Sequence, residues 1–182
     1  MKKLISAIII MFLISSCISQ NNRIEIRNYE KCVDYFCLSN IENCLMNLED
    51  VDKYIYDGSL TFFNCEKKIY FRMTHYPGDP KYKMSLFEIG YISTLDTMVF
   101  YEYDGLFVTN NHTALGDTVK KIVESHGYPH QISTIKNYKV YQYRVDNSNS
   151  KFVQENNEYA YIMEYWFKNG KLVKLIFGFE YP

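Results

Sequence analysis

The sequence predicts an α+β protein in which one or two helices pack on an antiparallel β-sheet. Three observations carry that expectation. Residues 115–129 read as a short helix marked at both ends, runs of Tyr, Phe, Ile and Val recur from residue 54 onward, and turn residues separate those runs. The chain has 182 residues, 47% hydrophobic and 17% aromatic, with 18 Tyr and only eight Gly and four Pro. Such a composition buries enough apolar surface to offset chain ordering, and the length suits one domain, with two small halves as the alternative. Twenty basic against 21 acidic residues leave a net charge of −1. No overall positive field is available to hold nucleic acid, which is therefore not an expected partner.

At the amino terminus, Lys2 and Lys3 precede an apolar run from Leu4 to Ile14 that is broken only by Ser6 and Ala7. At 1.5 Å per residue this run reaches only about half of a roughly 30 Å hydrocarbon core, too short for a transmembrane helix. It has the three-part form of a secretory signal peptide. Its end, Ile14-Ser15-Ser16-Cys17, resembles the lipobox of bacterial lipoproteins: an aliphatic residue, two small residues and a cysteine. By that resemblance residues 1–16 are removed and Cys17 becomes the acylated first residue, a membrane anchor stronger than any single chain provides. The alternative is a plain signal peptide with a chance cysteine. Losing Lys2 and Lys3 and no acid takes the net charge from −1 to −3. Ile18-Ser19 after the cysteine, in place of an aspartate, looks like an outer-membrane address under the sorting rule of enterobacterial lipoproteins.

Residues 17–31 are polar and short of core formers, as a tether would be. The next stretch, 32–104, contains Cys32, Cys37, Cys44 and Cys65. Outside the cytoplasm these four are disulfide candidates with three possible pairings. Buried free thiols and a zinc site remain open, although the spacings lack a CxxC knuckle and no His lies among them. Apolar residues at 41, 44, 45 and 48 have helical spacing, with Ser39 or Asn40 as the cap. Strand-like runs follow at 54–56, 60–63, 69–74, 85–93 and 98–103, punctuated by Asp57-Gly58 and by Tyr76–Pro80.

Residues 105–182 carry the clearest pattern. Thr118 can cap a helix whose Val119, Ile122, Val123 and His126 share one face, Gly127 supplies a left-handed stop, and Pro129 prevents resumption. His126 then closes the helix, where a cation complements the dipole. Strand-like runs follow at 138–144, 159–167 and 172–179, the last two joined by Asn169-Gly170 as a hairpin turn.

Gly116, Thr118, Ile122, Gly127 and Pro129, followed by Phe167-Lys-Asn-Gly170-Lys-Leu-Val-Lys-Leu175, resemble a pattern of the β-lactamase-inhibitor-protein-like fold. That group includes small outer-membrane lipoproteins associated with barrel assembly. The resemblance covers residues 105–179 and implies a helix on an antiparallel sheet and an envelope protein as partner. The matched positions are caps, core and turns, so they speak to fold more than to function. A degenerate first copy, with a helix near 40–48 and strands from 54 to 103, is an open alternative, although the Gly-Thr-Gly-Pro pattern does not recur there.

No catalytic, cofactor or metal motif is recognisable. His75, His112, His126 and His130 lie outside any ligand motif, and Gly127 and Pro129 break the helix that would align His126 with His130. Tyr101, Tyr103, Tyr141, Tyr143, Tyr159, Tyr161 and Tyr165 recur at period two on the predicted strands. They either pack against the helix or form an open aromatic face. The resulting expectation is a membrane-anchored, extracytoplasmic, non-enzymatic interaction module without a cofactor. The alternative is a lipoprotein that captures a glycan or peptide on a tyrosine-rich sheet face.

Overall fold

The computed structural model describes residues 26–38, 41–46, 48–80, 82–94 and 99–181. The signal segment 1–16, Cys17 and the capping candidates Ser39 and Asn40 lie outside the described residues. As expected, the fold is α+β, with helices on an antiparallel sheet.

A two-stranded ribbon, β1 (Cys32–Val33) and β2 (Phe36–Cys37), comes first and is closed by a Cys32–Cys37 disulfide. Helix α1 (Ile41–Met46) buries Ile41 and Leu45. A four-stranded meander follows: β3 (Ile55–Tyr56), β4 (Ser59–Asn64), β5 (Ile69–Thr74) and β6 (Leu86–Tyr91). Asp57 (φ 47°) and Gly58 (φ 69°) form the two-residue turn between β3 and β4, as two successive left-handed residues require. The short β7 (Tyr101–Glu102) lies parallel to β4, the exception in an otherwise antiparallel sheet.

Helix α2 (Val119–His126) has the anticipated ends. The Thr118 hydroxyl accepts the Lys121 amide at 3.3 Å, and Gly127, at φ 88°, donates to Val123 O at 2.9 Å. A second meander then runs through β8 (Gln131–Ile135), β9 (Tyr138–Asp146), β10 (Ala160–Lys168) and β11 (Lys171–Phe179), with helix α3 (Lys151–Glu155) between β9 and β10. Asn169 and Gly170, both at positive φ, make the β10–β11 turn. Neither β8 nor α3 was expected. Gln131–Ile135 lacks an apolar run, and residues 146–150 read as a polar connection.

Sheet order is β3-β4-β5-β6-β11-β10-β9-β8. Each half is thus a helix followed by a four-stranded meander, and the last strands of the two halves meet at the centre, where Phe87 faces Phe177. That duplication is topological, and the halves do not make separate cores. One hydrophobic cluster runs from Phe36, Leu45 and Phe71 to Ile122, Tyr165 and Phe177. Burial alternates along β10, where Tyr161, Met163, Tyr165 and Phe167 turn into the core and Ile162, Glu164 and Trp166 turn the other way.

Candidate functional site

Two polar constellations stand out, one sealed and one open. The sealed one begins at residue 26, in the segment expected to be a tether. From there the chain is instead built into the fold as a strap: Ile26 is buried, and Glu30 and His126 are both 0% exposed. The Glu30 carboxylate receives the Thr113 hydroxyl at 2.6 Å, the Asn111 amide at 3.0 Å and the Tyr165 hydroxyl at 3.2 Å, with His126 Nε2 at 3.1 Å. Its main chain is held as well, the amide by Met163 Sδ at 3.4 Å and the carbonyl by the Tyr161 hydroxyl. On the other side of the imidazole, His126 Nδ1 donates to Asn28 O at 2.7 Å. His126 therefore does more than close α2, because its ring joins the helix end to the strap.

Burial pushes the Glu30 carboxyl up, but hydrogen bonds from His126 and Thr113 and the charge of His126 outweigh it and hold the group below the usual carboxylate range. The hydroxyls of Tyr161 and Tyr165 are pushed well above theirs, first by burial and then by the Glu30 charge. Closed off from solvent and supplied with donors, this cluster can fasten a chain segment but has no route to a substrate.

The open constellation arises because β9 outruns its neighbour. Strand β8 pairs with Tyr138–Gln142, leaving Tyr143–Asp146 without a strand partner on that side among the described residues. Beside this edge lies a groove of about 990 Å³, walled by Ile26 and Tyr29 of the strap, by His130 and Gln131, and at one end by Ser148–Lys151. Tyr143 forms part of the floor, its hydroxyl donating to Gly127 O at 2.9 Å. Arg144 presents its guanidinium to Glu180 through Nε at 2.9 Å and Nη2 at 2.8 Å, and also pairs with Asp146. The Glu180 hydrogen bond is the main reason its pKa is raised. Glu164 accepts from Gln142 at 2.8 Å and from Trp166 at 3.1 Å. His130 Nδ1 accepts the Arg144 amide at 3.4 Å, and partial burial lowers the ring's pKa against the opposing pull of Asp146.

The residues singled out in the sequence mostly serve the scaffold. Gly116, at φ 91°, donates its amide to Leu172 O at 2.8 Å, tying the approach to α2 onto β11. Thr118, Ile122, Gly127 and Gly170 cap, fill or turn, while buried Pro129 delivers His130 to the groove mouth. Of the cysteine candidates, Cys32 and Cys37 are joined, whereas Cys44 and Cys65 carry free thiols. Exposed Cys65 donates to Glu102 at 3.2 Å, which raises its pKa and so disfavours the reactive thiolate. No group of three or more His, Cys, Asp or Glu is placed to hold a metal among the described residues. The period-two tyrosines divide: Tyr141, Tyr143, Tyr161 and Tyr165 are core, Tyr101 and Tyr103 are half-buried, and Tyr159 is exposed. Those four buried rings cannot form a capture face.

Sequence reading missed both constellations. Glu30 finds His126, Tyr165 and Thr113 across 83–135 residues of chain, and no local pattern records such partners. The groove depends on two adjacent strands of unequal length, one of which has no hydrophobic signature. Fold and site together define an α+β protein with a strapped core and an open sheet edge. The chain matches no protein-family model, no curated protein and no solved structure.

Proposed function

We propose that this protein is an extracytoplasmic lipoprotein, anchored through Cys17, that acts as a non-enzymatic interaction module for another protein of the bacterial envelope. The observation that carries the reading is the edge of β9, without a strand partner on that side among the described residues, beside a groove of about 990 Å³. An exposed strand edge offers main-chain donors and acceptors, a recognition surface for polypeptide. The basic start, apolar run and Ile14–Cys17 sequence support anchoring. The resemblance of residues 105–179 to envelope lipoproteins points the same way.

Affinity purification of the full-length lipoprotein from crosslinked native membranes, with Cys17→Ala as control, tests the reading. A specific protein recovered only with the lipidated form is the expected result. Repeated recovery of no specific partner would overturn it.

A further inference from the structure

We infer that the groove takes an extended segment of a membrane protein at the bilayer surface, added as a short strand to the β9 edge over Tyr143–Asp146. The inference deepens the function proposed above and rests on it.

The edge supplies the first argument. Asn147 N donates to Tyr159 O at 2.9 Å, and the register pairs Asp146 with Ala160, Val145 with Tyr161 and Arg144 with Ile162. Main-chain groups alternate in direction along a strand, so those of Tyr143 and Val145 face β10 while those of Arg144 and Asp146 face the groove. On that side Gln142 O accepts the His130 amide at 2.9 Å, and the Arg144 amide ends on the His130 ring. The Arg144 carbonyl and the Asp146 amide come next. An incoming residue opposite Val145, on a strand running parallel to β9, can donate to the first and accept from the second.

Charge argues for peptide over a lipid headgroup. The Arg144 guanidinium is occupied by Glu180 and Asp146, and Lys151 pairs with Glu155 at 3.5 Å. The groove's cations are therefore compensated, and a phosphate would have to displace carboxylates to reach Arg144.

Position identifies the occupant's source. Ile26 is part of the groove wall, and it lies nine residue steps from Cys17, with eight residues between them. At the extended limit that segment reaches about 30 Å. An anchor at Cys17 thus keeps the groove within about 30 Å of the bilayer, among the surface segments of membrane proteins.

The test places a photo-crosslinking residue at Ser148 in the full-length lipoprotein in native membranes, with Tyr56 on β3, at the far edge of the sheet, as control site. The expected result is an adduct from position 148, absent from position 56, that maps to one contiguous segment of a membrane protein. Asp146 sits at φ −81° and ψ 158°, which a proline ring accepts. Asp146→Pro therefore removes the outward amide, while Asp146→Ala removes the same carboxylate and keeps the amide. The proline variant should lose the adduct by about tenfold and the alanine variant should keep it. If Asp146→Pro lowers the melting temperature, Asn149→Trp, which fills the groove from an exposed position, should abolish the adduct in its place. Equal adducts from the proline and alanine variants, or an adduct with phospholipid alone, would overturn the inference. An adduct missing at 148 while affinity purification still recovers a partner would remove the groove and leave the proposed function standing. No partner by either route would remove both.

Discussion

Glu30 and His126 show how much one buried pair can decide. Taking a carboxylate out of water costs several kcal/mol, and only good geometry with further hydrogen bonds offsets that. Glu30 has both, with donors from Thr113, Asn111 and Tyr165 besides the imidazole. Breaking such a pair from one side leaves an uncompensated group and costs about 3–5 kcal/mol. The exposed pair Lys120–Glu124, at 3.7 Å, is a surface contact of the kind that contributes less than about 1 kcal/mol. The ionisation of Glu30 also sets a pH dependence. Its folded-state pKa is lowered from 4.5, so its stabilising contribution is complete above that value and is lost as pH falls through the folded pKa. Glu30→Gln should melt at a lower temperature than the native chain at pH 7, with a shallower decline as pH falls below 4.5. Thermal melts across that range check it. Parallel curves for the two proteins would mean that folding leaves the Glu30 pKa unlowered.

Among the elements, the junction of β6 and β11 depends on a residue with no side chain. Gly178 lies at φ 149°, and a methyl group there would fall within van der Waals contact of the Ser85 carbonyl and 2.8 Å from Leu86 Cα. Backbone cannot swing aside as a flexible side chain can. Gly178→Ala should therefore cost at least the 1–3 kcal/mol typical of overpacking, about that much in a urea melt. An unchanged midpoint would show that the two meanders are not held in this register. The same junction shows what a sequence can and cannot announce. Thr118, Gly127, Asp57-Gly58 and Asn169-Gly170 were legible because cap and turn chemistry is local. The strand rule also found the runs of β4, β5, β10 and β11. Strand β8 escaped it because Ser133 and Thr134 interrupt its two isoleucines, both of them exposed. The strap escaped for the opposite reason: a polar segment looks like a tether until partners far along the chain bury it. Pairing of Phe87 with Phe177 across 90 residues has no local signature at all.

Across the whole molecule, the shared core and the proposed anchor make separate demands. The proposed anchor rests on Cys17, so Cys17→Ala should shift the protein from the membrane pellet to the soluble fraction without changing its melting temperature. Retention in the pellet would exclude lipidation there. Folding depends on both halves. Residues 105–182 contain the patterned helix and β8 to β11, yet β11 would lose β6, exposing an edge that carries Leu175, Phe177 and Phe179. The cut also removes Glu30, leaving buried His126, Thr113 and Tyr165 without the carboxylate that joins them. An unpaired hydrophobic edge and a broken polar cluster both favour association over a folded monomer. A polypeptide of residues 105–182 should therefore aggregate or give a collapsed amide NMR spectrum, whereas residues 26–182 should give a dispersed one. If the shorter piece is folded and monomeric, the single core is divisible, and the molecule is two domains that happen to share a sheet.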